Sequence, residues 1–241
     1  MNKLSLIRVF ISINVLLTGL IFPYKSLATE PKEMENVDLN TLIKETQVSN
    51  SGDGMSLVWW IPPEFWSVAL SQDASMSATE REQFLSILEP YFMLGVVQGE
   101  MSSLGVTQFY DIERVRQNLS LSYENGDGEQ IVLTPATEIS SEVQMLQNMI
   151  KPMLEQMMGN MGQNFHFLTY EDLNSSGKRQ VSPYEDGTIQ IKLAGNNNVA
   201  NGDFAIALPL NSLYVPRICP NGEEAHISWE YCPWDGTKLE D

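Results

Sequence analysis

Apolar positions along this chain recur with two different periods, and the changes of period mark its elements. Met55 to Ile61 is a dense apolar run in which Trp59 and Trp60 point to opposite sides of an extended backbone. A strand apolar on both faces is a buried one. Pro62-Pro63 ends it, and Pro63 opens a short helix through Leu70. Ser77-x-x-Glu80 is a capping box ahead of Phe84, Leu88 and Tyr91, which predicts a helix to about Leu94 and then a strand from Val96 to Met101. Asp111 to Asn118 reads as a short helix. Leu119, Leu121 and Tyr123 alternate with Ser120 and Ser122, Asn125-Gly126-Asp127-Gly128 turns the chain, and Ile131-Val132-Leu133 returns. That is a β-hairpin with one wet face.

Ser141-x-x-Gln144 opens the longest helix, which ends near Gly159 or Gly162, and Phe165 to Tyr170 is a further strand. From Thr188 to Ala194 the inward positions are Ile189, Ile191 and Leu193; Phe204, Ile206, Leu208 and Leu210 repeat the pattern. Pro209 has no N–H for a ladder, so that strand end lies at an edge or leaves the sheet. Each long helix contains a proline, Pro90 and Pro152, which predicts a kink in both. Strands partly in hairpins, mixed with two long Pro-kinked helices, predict an α+β domain over 55–215 with a mixed or antiparallel sheet. Residues 29–54 are polar and acidic and read as a lead-in, with Leu39, Leu42 and Ile43 spaced as one amphipathic turn. A small Cys-containing tail, 216–241, follows the domain.

Residues 1–28 have the pattern of an address. Lys3 and Arg8 precede an apolar run from Val9 to Phe22, Pro23 breaks it, and Ser26-Leu27-Ala28 offers the small residues of a cleavage site. This is a secretory signal peptide, too short for the ~20 residues of a membrane span. The expected location is periplasmic or secreted, with no integral membrane span after signal cleavage. Composition agrees: 43% hydrophobic and 19% charged residues are globular values. The 14 basic and 31 acidic residues give a net charge of -17, and losing Lys3, Arg8 and Lys25 with the signal leaves 11 basic residues and -20. Such acidity argues against nucleic acid and anionic membrane surfaces as partners.

Six of the 12 methionines lie close together, at Met145, Met149, Met153, Met157, Met158 and Met161. Steps of four residues drift ~40° around a helix, so the row smears and does not converge on one point. Gln144, Gln147, Asn148, Lys151 and Glu155 form the polar face, which favours a Met/Leu/Ile underside packed into the core. Two other roles stay open: a partner- or lipid-binding face through Met145, Met149, Met153 and Met157, and Cu(I) capture by soft thioethers.

Asp172-x-Asn174-x-Ser176-Gly177 copies the first half of a calcium loop, but Pro183 stands where the bidentate Glu belongs. A solvated turn is the favoured reading. His166 carries no recognisable catalytic partner in the sequence. The aromatic run from Trp59 to Trp66 suits either a ligand cleft or core.

The tail reads Cys219-Pro220-Asn221-Gly222 and then Tyr231-Cys232-Pro233-Trp234-Asp235-Gly236. It resembles a zinc ribbon, whose knuckles each read Cys-Pro-x-Cys-Gly; the second Cys of each is replaced, by Gly222 and by Asp235. The resemblance implies a zinc site at Cys219, Cys232, His226 and Asp235. Export favours a Cys219–Cys232 disulfide instead. No cofactor signature appears, zinc at this tail being the one candidate. The expected function is a non-enzymatic binding or assembly component of the cell envelope, acting on an unidentified protein or small molecule. The alternatives are periplasmic metal handling, with copper at the Met row or zinc at the tail, and an unrecognised hydrolase.

Overall fold

A computed structural model describes residues 30–51, 54–73, 75–195 and 202–239. The signal-peptide segment lies outside these described residues. The helices are α1 (Leu39–Thr46), α2 (Pro63–Ser71), α3 (Ala78–Leu88), α4 (Ile112–Asn118), α5 (Ser141–Met158) and α6 (Asn160–Gln163). The strands are β1 (Gln47–Ser51), β2 (Gly54–Trp60), β3 (Tyr91–Met101), β4 (Thr107–Phe109), β5 (Leu119–Asn125), β6 (Gln130–Val132), β7 (His166–Glu171), β8 (Gly187–Leu193), β9 (Gly202–Leu208), β10 (Arg217–Ile218) and β11 (Glu224–Ala225).

Two antiparallel sheets carry the α+β fold. In the first, β3 is central: β2 pairs along one side of it, with β1 beyond, while β7 and β4 share its other side end to end. The second runs β6-β5-β8-β9. Alternation along the strands explains their stacking. Val58, Trp60, Phe92, Leu94 and Val96 project from one face of the first sheet into a common core with Leu121, Tyr123, Ile189, Ile191 and Ile206 of the second. Trp60 and Phe92 stack there at 5.6 Å. The opposite positions of the first sheet, Leu57, Trp59, Met93 and Val97, face a helix layer in which Phe65, Phe84, Val143, Leu146 and Leu154 take part. The outer face of the second sheet is polar. The described residues therefore form a three-layer stack of helices, sheet and sheet, in which the first sheet's doubly apolar strands are covered on both faces.

The capping box forms as expected, Ser77 Oγ accepting from Glu80 N–H and Glu80 Oε2 from Ser77 N–H. Its helix stops at Leu88, not Leu94. Pro90 thus ends α3 and does not kink it: Glu89 keeps helical dihedrals, but Pro90 has no N–H to donate to the Ser86 carbonyl, so the ladder cannot continue. The freed residues Tyr91 to Leu94 begin β3. Pro152 does lie inside α5, whose N-cap is Ser140, one residue earlier than read from the sequence. The polar stretch before Met55 is part of the fold: Asp38 caps α1, and β1 pairs with β2 from Gln47↔Trp59 to Ser51↔Met55. Among the described residues no helix is long and apolar enough to cross a membrane.

Candidate functional site

The methionine row is not core. Met145, Met149, Met153 and Met157 are between 53% and 73% exposed, while Val143, Leu146 and Leu154 of the same helix are buried. Helix geometry gives the reason. At ~100° per residue, Val143, Leu146, Ile150, Leu154 and Met158 span an arc of ~120°, which is what one helix face lays on a sheet. Met145, Met149 and Met153 occupy the adjoining arc, each ~40° nearer the buried face than the last. Met153, 53% exposed, reaches the edge of the buried face, while Met157, in the last turn of α5, is 73% exposed.

At that edge a cleft of about 390 Å³ opens between α5 on one side and α1 and α2 on the other. Ile43, Gln47 and Ala69 line one wall, and Ile150, Met153, Leu154, Met157 and Met158 the other. The floor is aromatic: Trp59 packs edge-on against Phe65 at 5.0 Å, and Phe165 against Phe167 at 5.3 Å. Gly95 makes this floor possible, since a Cβ there would lie 2.0 Å from Cζ of Phe165. Trp59 Nε1 is already satisfied by Thr46 Oγ1 at 3.2 Å. Gln47 is the one amide among the lining side chains. The cleft is within the roughly 300–1,000 Å³ of small-ligand sites and is apolar throughout, a place for hydrocarbon and not for charge.

Behind α2 lies a buried ionic triad. Arg179 Nη1 donates to Glu64 Oε1 at 2.8 Å and Arg179 Nε to Asp172 Oδ2 at 3.2 Å, while Asp172 Oδ1 accepts from Val181 N–H at 2.9 Å. Burial pushes Asp172 up to about 6, against the pull of Arg179 and the Val181 N–H. Glu64 Oε2 is buried without a hydrogen-bond partner among the described residues. Because Glu64 immediately precedes Phe65 and Trp66, the triad anchors the helix that forms the cleft's aromatic side. Nothing in the local sequence marks Arg179 for this role; the partners are brought together only by the fold.

The other candidate residues behave as follows. The calcium-like loop is a turn: Asn174 Oδ1 accepts from the N–H groups of Ser176 and Lys178, and Asp172 is spent on Arg179. His166 Nε2 meets the Tyr110 carbonyl at 2.9 Å and so carries the proton as donor; no carboxylate orients the ring among the described residues. In the tail, Cys219 and Cys232 are buried and close enough for their thiols to hydrogen-bond. Burial and Cys232 push Cys219 up to about 11, so it is not a thiolate nucleophile at neutral pH. Asp235 lies beside Cys232, but His226 Nδ1 faces Ser228 Oγ at 2.8 Å. Among the described residues no three His, Cys, Asp or Glu side chains are placed to share a metal ion.

A larger depression of about 700 Å³ lies where β5, β7 and residues 132–139 meet, with Arg116, Ser120, Gln190 and Lys192 in its lining. Its two cations are engaged by acids, Arg116 with Glu113 at 3.0 Å and Lys192 with Asp203 at 4.0 Å. The cleft beside α5 is smaller and lined almost entirely by apolar side chains.

No protein-family model matches this chain, and no curated protein matches it. Among solved structures, a DUF4426 family protein from Pseudomonas aeruginosa PAO1 is similar at 10% identity, covering 68% of this chain and 93% of that one, with a TM-score of 0.31.

Proposed function

We propose that this chain is a non-enzymatic binding component of the cell envelope that holds an apolar ligand in the cleft between α5 and the α1–α2 pair. One observation carries the reading: an aromatic-floored apolar cleft opens directly onto a row of four exposed methionines. Unbranched thioethers adapt to differently shaped partners, and exposed apolar patches of this kind mark binding sites. The signal-like N-terminus supplies the compartment. In that compartment the two tail thiols join as a disulfide, which closes a small loop and staples the tail.

The test uses a neutral apolar dye, N-phenyl-1-naphthylamine, with energy transfer from Trp59 and Trp66, both of which line the cleft. The expected result is saturable binding with transfer. Met153→Gln/Met157→Gln should weaken it about tenfold, equivalent to about 1.4 kcal/mol, with the unfolding midpoint unchanged. Dye binding that is absent, or indifferent to the double substitution, would overturn the reading.

A further inference from the structure

We infer that the occupant of the cleft and methionine row is an amphipathic helix with a basic polar face, carried by a partner protein; this rests on the cleft being an apolar binding site.

Length is the first argument. From Met145 to Met157 the row runs ~18 Å along α5 at 1.5 Å per residue. Only Met153 and Met157 belong to the cleft; Met145 and Met149, 70% and 66% exposed, lie beyond it. A single hydrocarbon tail fills the cleft and leaves that outer half bare. A helix of about three turns covers both, placing one large side chain in the cleft and others along the row, at the i, i+3/i+4, i+7 spacing of groove-bound helices.

Backbone chemistry is the second. An extended peptide brings unpaired N–H and C=O groups along its whole length, and the side chains of these walls offer only the amide of Gln47 and the indole N–H of Trp66. A helix satisfies its own backbone and can lie on such a surface without loss.

Charge is the third, and it separates the remaining occupants. The chain carries a net -17. On α3 and α5, which are in contact, Glu80, Glu82, Glu142 and Glu155 outnumber Arg81 and Lys151. A second copy of this chain brings the same sign, as does an anionic bilayer. A basic partner is attracted, and charge of this kind raises its rate of encounter as well.

The probe is a synthetic peptide of about 18 residues, five helical turns, built from Leu and Lys with all Leu on one face. Three comparisons accompany it: the same pattern with Glu for Lys, a scrambled Leu/Lys peptide, and vesicles of zwitterionic or anionic lipid. Tryptophan emission of the protein and the peptide's helical circular dichroism are followed. The patterned Leu/Lys peptide should bind and become helical, about tenfold or more tighter than the Glu and scrambled peptides. Met145→Gln/Met149→Gln should weaken it about tenfold while leaving dye binding in the cleft intact. Equal binding of the three peptides, indifference to that substitution, or binding to vesicles alone would overturn the inference. If the dye binds and the peptide does not, the helix is wrong and the apolar cleft stands; if neither binds, both fall.

Discussion

Asp172→Asn tests how the cleft's supporting triad is balanced. Asp172 is completely buried and faces Arg179, the Val181 N–H and the Gln180 N–H, with Glu64 on the far side of the guanidinium. Burial opposes its charge, and Arg179 favours it. Burial wins, since the carboxyl is raised from 3.8 to about 6. The folded protein therefore takes up this proton before the unfolded chain does as pH falls. The sign is opposite to that of an ordinary paired carboxylate: Asp172 subtracts stability at pH 7.5, and the penalty disappears as pH falls through 6 toward 4. A difference of about two pH units corresponds to about 3 kcal/mol in full, of which about 2 kcal/mol is realised by pH 4.5. Asn keeps the shape and cannot titrate. Urea denaturation of both proteins at pH 7.5 and 4.5 gives the comparison, because groups common to both largely cancel. Acidification should shift the stability gap by about 2 kcal/mol in favour of the wild type. A constant gap, or one moving the other way, would show that Arg179's attraction outweighs burial and that the triad stabilises as an ion pair.

Three further substitutions probe the packing. Gly95→Ala puts a Cβ 2.0 Å from Phe165 Cζ and should cost about 1–3 kcal/mol, read by thermal unfolding, with loss of dye binding as the cleft floor shifts. Leu154→Ala should cost about 2–5 kcal/mol, whereas Met149→Ala should stay within about 0.5 kcal/mol; equal costs would mean that the row is buried after all. With the proposed disulfide the native protein should weigh less than its reduced form by two hydrogens, and Cys219→Ser should cost about 3 kcal/mol on the chain-entropy account. Two free thiols in denaturant without reductant would rule out the disulfide, and bound zinc in the native mass would favour the ribbon.

Much of the fold was legible because its signals are local. The β5–β6 hairpin, the inward Ile189-Ile191-Leu193 triplet and the Ser77–Glu80 box each depend on residues a few positions apart. The α3 boundary is not legible because Tyr91-Phe92-Met93-Leu94 is apolar at every position, so neither period shows, and Pro90 is a stop where the sequence pattern predicts a kink. β1 is hidden for the opposite reason: Gln47-Val48-Ser49-Asn50-Ser51 is a polar strand at the sheet's edge, held by its pairing with β2 and not by its own pattern. The cleft joins Trp59 and Phe65 to Ile150, Leu154 and Phe165, residues far apart in the chain. The aromatic run hints at one wall and the methionine row at the other, but nothing local brings the two together.

The methionines show why an apolar count along a helix does not by itself assign a role. α5 has more apolar residues than one face against a sheet can bury, and Val143, Leu146 and Leu154 already fill that face. The surplus is not scattered as single exposed side chains would be; it lies in one row leading to one cleft. Such a row invites association with any apolar surface, including its own copy. A large net negative charge counters that tendency between like molecules and does nothing against a basic partner. On the proposed reading the acidity and the exposed methionines account for each other: repulsion between like molecules keeps the apolar row free for an oppositely charged apolar surface.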